Sequence, residues 1–387
     1  MAADLLTRGL NRRDFLRLTA GAAAVLTVGT GFSVSEAANQ VAADSSAISL
    51  DACIKLTPAA MAERSAMVKR GYAYLLSSCD LISNAAVRSM ARDGLQQPKP
   101  KLLERYPGSG DVTRLRLRLQ DVGYAKAEMT DEQLFPKNEG PDRVLQAFST
   151  APGSGWKSHH PYPGGLVTHV AVDLKTALGI YEAYQEIYGY RMNKELIVSA
   201  ILLHDIQKTW VLQWKDDGTC LPEANVAGTG VHHILGIADT MYRDAAPELV
   251  VALACSHNHP GFKADEAQVV DWIKAAAIIA GKDPVREGYL ASDAATLPLP
   301  RRQEGFMVHL GDHDYVMTAP AAGWMTEKLS VIARQDYRMT ESDLNGLPFN
   351  AFRSYLFSQA SVKRLHQVWV ENGEEGLRAT VKKIIIS

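Results

Sequence analysis

The chain has 387 residues, of which 47% are hydrophobic and 22% are charged. This composition is typical of soluble globular proteins and excludes a disordered or a fibrous chain. The formal net charge of -2 makes nucleic acid an unlikely general partner and gives no reason to expect an anionic membrane surface. Any phosphate group would therefore have to be captured by a local site.

The first 38 residues resemble a twin-arginine export signal. Arg12 and Arg13 precede an aromatic-Leu step at Phe15, an apolar run rich in Ala, Gly and Thr, and a small-x-small cleavage site at 35–37. The resemblance implies recognition by the twin-arginine translocation machinery and a periplasmic or extracellular location. An uncleaved anchor is the alternative, but the run is barely long enough to span a bilayer, and no stable span is expected in the mature chain.

Residues 51–150 are predicted to form a helical N-terminal region of unassigned role. Apolar residues recur at helical spacing from Thr57 to about Ala91, and the Thr57-Pro58 step is a typical helix start.

The four cysteines form no C-x-x-C motif, which argues against a zinc knuckle or a redox pair. Whether Cys53 and Cys79 form a disulfide is left open by the sequence.

Eight of the eleven histidines lie between residues 159 and 259. Each buried imidazole has a donor and an acceptor that need partners, so a hydrophobic core does not favour so many of them. Apolar helices carry or end in His169, the His204-Asp205 pair, His232 and His257.

The His204-Asp205 pair ends a segment that is apolar almost all round, so a carboxylate is delivered into a core. An ionised carboxylate without a partner is costly there, and a divalent cation shared with imidazoles removes that cost. Imidazole and carboxylate ligands suit Zn, Mn, Ni, Co or Fe better than Ca. The sequence therefore predicts one or two such ions as cofactor.

The motifs HHPYPGGLVTH, LLHDIQK and SHNHPG resemble those of the HD-domain superfamily of metal-dependent phosphohydrolases. The resemblance covers roughly residues 159–285, and it implies an all-α, mainly helical core at 151–298. It further implies that His169, His204, Asp205, His232 and His257 bind metal. Asp205 would bridge two ions and, with Lys208, take part in catalysis.

Two departures from the family pattern concern this site. Gln207 occupies a position that is usually Gly, and the late Asp ligand expected near Ala277 is missing. Nearby acids that would substitute for it are Asp271 and Asp293, with Asp283 also in range.

Further polar residues have alternative interpretations. His160 would either contact substrate or cap a helix, and Lys208 would pair with either a substrate phosphate or Asp205. His233 and His259 are expected beside the ligands or at the surface.

Residues 299–387 are predicted to form a C-terminal helical extension, with a small β hairpin or loop near 304–320. The polar run His309, Asp312, His313 and Asp314 is interpreted there as a solvated turn rather than a lid over the site.

Three functions are consistent with these residues. The first is metal-dependent hydrolysis of a small phosphoester or nucleotide, in which bound ions activate water and neutralise phosphate charge. The second is a diiron oxygenase of HD type acting on a small molecule. The third is a non-catalytic scaffold or sensor that has lost the final Asp.

Overall fold

A computed structural model describes residues 47–137 and 145–386, and these are helical with only short strands. The twin-arginine segment at 1–38 lies outside the described residues. The first helices are α1 (Leu50–Ile54), α2 (Pro58–Arg64), α3 (Ala66–Ser78), α4 (Ala85–Gln96), α5 (Ser109–Asp121) and α6 (Asp131–Leu134). Helix α2 begins where the Thr57-Pro58 step predicts, because the Thr57 side chain accepts a hydrogen bond from Ala60 N.

The central helices are α7 (Gly165–Tyr188), α8 (Lys194–Leu203), α9 (Lys208–Val211), α10 (Val231–Tyr242), α11 (Pro247–Ala254) and α12 (Lys263–Ala280). The last are α13 (Glu304–Gly311), α14 (Tyr315–Asp336), α15 (Glu341–Leu344), α16 (Leu347–Ala360) and α17 (Val362–Ile384). Helix α17 is interrupted at Gly373, whose backbone φ is 65°. The predicted all-α fold class is confirmed.

Four two-residue strands complete the described secondary structure. Strand β1 (Ile48–Ser49) pairs in parallel with β4 (Ile385–Ile386). Strand β2 (Asn225–Val226) pairs antiparallel with β3 (Thr229–Gly230). The hairpin therefore lies directly before α10.

The prediction of a hairpin or loop near 304–320 is wrong, because helices α13 and α14 occupy this segment. Gly305 and Gly311 weaken its local helical signal, yet both are sites of close packing. A Cβ at Gly305 would lie 2.8 Å from Cys255 Sγ, and one at Gly311 would lie 2.9 Å from the Asp173 carbonyl oxygen. Tertiary packing thus overrides the weak local preference.

The buried apolar side chains form two clusters. The first contains the interior faces of α3 to α5 and α7 to α13, with Trp210 and Trp272 among its largest members. The second joins α1 to α14, α16 and α17. Cys53 belongs to the second cluster and Cys79 to the first, and all four cysteines are buried free thiols.

A tight loop before α7 brings residues 153–164 against the first core. Gly153 N donates to the His160 carbonyl oxygen over 2.9 Å, and Leu166 N donates to the Ala151 carbonyl oxygen over 3.1 Å. Gly164 adopts a left-handed conformation with φ 82° at the start of the helix. None of the helices in the described part of the chain is long and apolar enough to cross a bilayer.

We expect Gly165→Ala to destabilise the protein. A Cβ at this position would overlap the carbonyl oxygen of His160 and lie 2.9 Å from Gly153 N, so the loop before α7 would have to shift. Overpacking of this kind costs about 1–3 kcal/mol, which urea denaturation monitored by circular dichroism would measure.

Gly179→Ala, in the same helix, is the matched control. Apart from its chain neighbours and the backbone of its own helix, no atom lies within 4 Å of the added Cβ, so the better helix propensity of Ala should raise stability. The expected gain is about 0.5–1 kcal/mol. Equal stability of Gly165→Ala and wild type would contradict the close approach of loop and helix.

Candidate metal centre

Two adjoining groups of His and Asp side chains lie in the first core, each arranged so that it could hold a metal ion. One consists of His169, Asp173, His204 and Asp312, and the other of Asp205, His232 and His257. Within each group the potential ligand atoms lie within 4.8 Å of one another. The five residues predicted from the sequence as metal ligands are all brought together here.

The ends of several helices deliver these side chains. His169 lies in the second turn of α7, and the His204-Asp205 pair follows the last residue of α8. The central helix α8 is buried from Leu196 to Leu203, which explains its almost uniformly apolar sequence. The side chains of His204 and Asp205 are consequently almost fully excluded from solvent.

Asp205 lies between the two groups. Its Oδ2 atom is 3.0 Å from His169 Nε2 and 3.3 Å from His204 Nε2. Its Oδ1 atom is 3.3 Å from His232 Nε2. The two oxygens of one carboxylate thus face different imidazole groups, which is the arrangement required of a bridging ligand.

Three of the four imidazoles are held from behind through their Nδ1 atoms. His204 Nδ1 is 2.8 Å from the Ile201 carbonyl oxygen, and His232 Nδ1 is 2.5 Å from Glu223 Oε1. Thr229 Oγ1 lies 2.8 Å from His257 Nδ1. Such outer partners fix ring orientation and leave Nε2 available for an ion.

Asp173 lies behind His169, with Oδ2 at 3.3 Å from His169 Nδ1. Burial raises the pKa of Asp173 well above its ordinary value, and His169 only partly opposes this effect. The group behind His169 is therefore a buried acid, and neither His169 Nδ1 nor the Asp173 oxygens have a hydrogen-bond partner among the described residues.

The inward-facing atoms lack hydrogen bonds. Among the described residues, the Nε2 atoms of His169, His204 and His232 and the Oδ1 atom of Asp205 are buried without a hydrogen-bond partner. Buried polar atoms almost always have a partner, and this donor set of imidazoles and carboxylates is one that transition metals bind. The residues present therefore fit a divalent metal ion.

The shifted pKa values of the Asp and His side chains in the centre are also consistent with cation binding. Burial alone would raise the pKa of Asp205, but the nearby charges of His204 and Lys208 hold it well below its usual range. Burial and then the charge of His232 lower the pKa of His257 to about 3. Burial alone would lower the pKa values of His169, His204 and His232, but Asp173, Asp205 and Glu223 respectively raise them, that of His169 to about 9. The carboxylates that favour a proton on these three rings would equally favour a metal cation in its place.

Asp312 supplies the late carboxylate that the sequence placed elsewhere. Its Oδ1 atom lies 3.2 Å from His169 Nε2 and 3.7 Å from His204 Nε2. It follows α13, so the polar run at 309–314 is part of the centre and not a solvated turn as expected. The run of acids and histidines after a short apolar segment was the signal that could have identified it.

The acids expected at this position do not reach the centre. Asp271 is exposed and accepts a hydrogen bond from the Tyr124 hydroxyl over 3.3 Å. Asp293 is exposed and accepts from Ala295 N and Thr296 N. Asp283 similarly accepts from backbone N–H groups that follow it. These carboxylates stabilise local turns or contact a neighbouring tyrosine.

Lys208 is paired with Asp205, one of the two alternatives left open by the sequence. Its Nζ atom lies 2.5 Å from Asp205 Oδ2 and donates to the Gly153 carbonyl oxygen over 2.8 Å. Burial alone would lower the pKa of Lys208, but the charges of Asp205 and Asp312 raise it. Lys208 thus ties the loop before α7 to the bridging carboxylate.

A cavity of about 560 Å³ opens onto the centre. His232, His257, Asp312 and Lys208 line it together with His159. The other lining residues are mostly polar, with Leu212, Trp272 and Tyr315 as apolar or aromatic members. His232, His257 and Asp312 are therefore accessible to a small molecule from this cavity.

His159, and not its neighbour His160, lines this cavity. His160 is buried, with Nε2 at 2.7 Å from Asp314 Oδ2 and Nδ1 at 3.2 Å from the Tyr162 hydroxyl. His159 Nδ1 is 2.9 Å from Ser158 Oγ, and its Nε2 has no hydrogen-bond partner among the described residues. Of these two adjacent histidines, His159 is therefore the one that faces the cavity.

Of the two other histidines considered from the sequence, His233 lies beside the centre and His259 packs on α13. His233 stacks on His257 with ring centroids 4.0 Å apart, and His259 stacks on Phe306. His233 is fully buried, as expected for a residue that supports a ligand.

One curated protein is similar to this chain. It is the dihydroneopterin 2',3'-cyclic phosphate phosphodiesterase of Methanocaldococcus jannaschii, 34% identical over 125 residues, or 32% of this chain. The matched region is 49% of that protein, so the chain spans about half the length of the curated relative. No protein-family model and no solved structure matches the chain. A third of the chain is therefore similar to a phosphodiesterase.

Proposed function

We propose that this protein is a metal-dependent hydrolase of a small phosphoester, with an HD-type site. The observation that carries the proposal is the convergence of unpartnered imidazole Nε2 atoms on the two oxygens of Asp205. Similarity to a cyclic phosphate phosphodiesterase supports the reaction class. Cyclic phosphodiesters of small molecules are therefore the first substrates to examine.

The residues have separate tasks in this proposal. His169, His204 and Asp312 would hold one ion, His232 and His257 another, and Asp205 both. Divalent ions at such a site lower the pKa of bound water and neutralise phosphate oxygens. Lys208 keeps Asp205 ionised.

The cavity favours a small substrate over a polymer. Its volume of about 560 Å³ lies within the range of small-molecule pockets. His159, whose Nε2 has no hydrogen-bond partner among the described residues, could donate a hydrogen bond to a phosphate oxygen in this cavity. The near-neutral chain provides no general attraction for nucleic acid.

The two other hypotheses differ in their present support. The scaffold hypothesis rested on a missing late acid, and the proximity of Asp312 to His169 and His204 removes that reason. A diiron oxygenase would use the same ligands, and bound iron with oxygen consumption would distinguish it. Export through the twin-arginine machinery to the periplasm or exterior remains a proposal from the sequence.

We expect the purified full chain to hydrolyse a nucleoside 2',3'-cyclic phosphate or bis(p-nitrophenyl) phosphate in a metal-dependent manner. A chelator should abolish turnover, and one of Zn, Mn, Ni, Co or Fe should restore it. Asp205→Asn should be inactive because the bridging carboxylate is lost. Iron-dependent oxygen consumption without phosphate ester cleavage would overturn the proposal in favour of an oxygenase.

A second prediction concerns the late carboxylate. Asp312→Asn should weaken metal binding at least about tenfold, since even outer partners of metal ligands contribute about 10–100-fold to affinity. Elemental analysis after dialysis at a series of free metal concentrations measures this change.

Asp271→Asn and Asp293→Asn are matched controls for this substitution. Both remove an exposed carboxylate that lies outside the centre, and both should retain the metal content of the wild type. Loss of metal from either control, together with full retention in Asp312→Asn, would contradict our assignment.

A third prediction concerns His159. Removing one hydrogen bond to a charged phosphate costs about 1.5–3 kcal/mol, so His159→Gln should lower kcat/KM about ten- to 150-fold. Metal content should stay unchanged, because the four metal-facing imidazoles and both acids remain.

His366→Gln is the control for a histidine elsewhere in the fold, where His366 stacks on Trp324. It should leave kcat/KM unchanged. Wild-type kinetics in His159→Gln would show that the cavity wall at His159 does not contact the substrate.

A further inference from the structure

Arg353 in α16 is a buried guanidinium without a counter-charge. The residue is only 5% exposed. Among the described residues, no carboxylate lies within 4.0 Å of it as an ion-pair partner. Buried charges are normally paired, because the desolvation of an ion costs several kcal/mol.

Most of the donors of Arg353 are not used by the protein. Its Nη2 atom donates over 3.2 Å and 3.4 Å to the carbonyl oxygens of Trp156 and Pro161. Its Nε atom is buried without a hydrogen-bond partner among the residues described. A guanidinium has five N–H donors in a planar fork that matches carboxylate and phosphate.

The guanidinium is also held in a fixed orientation. Its Cζ atom lies 3.5 Å from the centroid of the Trp156 ring. Trp156 in turn packs edge-on against Trp214, with ring centroids 6.4 Å apart. The orienting contacts are aromatic and neutral, so they position the charge without balancing it.

Arg353 lines a second cavity, of about 510 Å³, between the loop before α7 and the helices α14 to α16. Lys157 contributes another positive charge to its wall, and Ser158 lines both this cavity and that of the metal centre. The acid Asp217 on the wall is engaged by Lys215 at 2.9 Å, while Glu327 is exposed. Arg353 is therefore the buried charge of this wall that has no ion-pair partner among the described residues, while Lys157 and Glu327 are exposed to solvent.

We propose that this second cavity binds the anionic group of a small molecule, a carboxylate or a phosphate, through Arg353 with Lys157 at its rim. The anion supplies the negative charge that no ion-pair partner of Arg353 provides. Its oxygens accept hydrogen bonds from the N–H groups of the guanidinium that the protein leaves free. The site is separate from the metal ligands, so the proposal does not depend on the proposed hydrolysis.

The test is isothermal titration of the purified full chain with inorganic phosphate and, separately, with acetate. A chelator-treated sample identifies binding that does not require the metal centre. We expect one metal-independent site for at least one of the two anions, weakened at least tenfold in Arg353→Met. Arg286→Met, at an exposed arginine paired with Glu287, is the matched control and should bind as the wild type does.

Two further variants keep the test decisive if Arg353→Met fails to fold after losing its hydrogen bonds to the loop. Arg353→Lys retains the charge without the planar fork, and Lys157→Met alters an exposed residue of the wall. Both should weaken the metal-independent site. Absence of that site in the wild type, or unchanged affinity in every folded variant, would overturn the proposal and leave Arg353 as a clamp for the loop.

Kinetics distinguish two sources of the anion. If it is the distal group of the substrate, Arg353→Lys raises KM only for esters that carry a second anionic group. If it is a separate ligand, KM is unchanged while phosphate or acetate binding weakens. Where no hydrolysis is detected at all, the titration still decides the anion site.

Discussion

The rest of the structure depends on the burial of one ionised carboxylate, that of Asp205. It follows a helix whose every side is packed in the core, and it is only 1% exposed. A charge so placed requires partners, because desolvation costs several kcal/mol and removal of one member of a buried pair leaves the other uncompensated. Lys208 is one partner of Asp205. The imidazoles around the two Asp205 oxygens could hold a divalent cation, which would supply the remaining positive charge.

The need for partners of buried polar groups also explains the hydrogen bonds made by the side chains around the centre. A metal-binding imidazole is usually oriented by a hydrogen bond to its other nitrogen, and Glu223, Thr229 and a backbone carbonyl group make this contact for three of the rings. The loop before α7 is tied to the bridging carboxylate through Lys208 and to α14 through the His160–Asp314 pair. The C-terminal helices therefore help to hold the wall of the cavity, although no ligand of the centre comes from α14 to α17.

Sequence reasoning located most of the centre because its signal was strong. His169, His204, Asp205, His232 and His257 each lie in or at the end of an apolar helix, where an isolated polar residue requires an explanation. The helical fold class was implied by the resemblance to the HD-domain superfamily, and helical spacing of apolar residues supported it in the N-terminal region. Apolar stripes at helical spacing indicate which side of each segment faces the core.

The late carboxylate was missed for a physical reason. Helix α13 contains Gly305 and Gly311, which favour no particular structure but permit close packing on Cys255 and Asp173. Local sequence therefore indicated a hairpin or loop, and Asp312 at its end was assigned to solvent. The sequence also could not show whether His159 or His160 faces the cavity. The two residues are adjacent and of the same type, and only the tertiary structure decides where each side chain points. Arg353 had no sequence signal, since the absence of a counter-charge is visible only when all neighbours are known.

The balance of charge at the two cavities suggests how a near-neutral chain would select a phosphorylated molecule. In the metal-centre cavity, Lys208 is already neutralised by Asp205, and burial lowers the pKa of both His159 and His257, which favours their neutral forms. The lining side chains thus offer hydrogen bonds and metal ligands, and attraction for a phosphate there would come from bound ions. Arg353 differs from Lys208, because Trp156 holds its guanidinium in place and its buried Nε atom has no hydrogen-bond partner among the described residues. Anion recognition next to the centre consequently depends on a residue outside the region of sequence motifs, in helices whose contribution the motifs alone do not reveal.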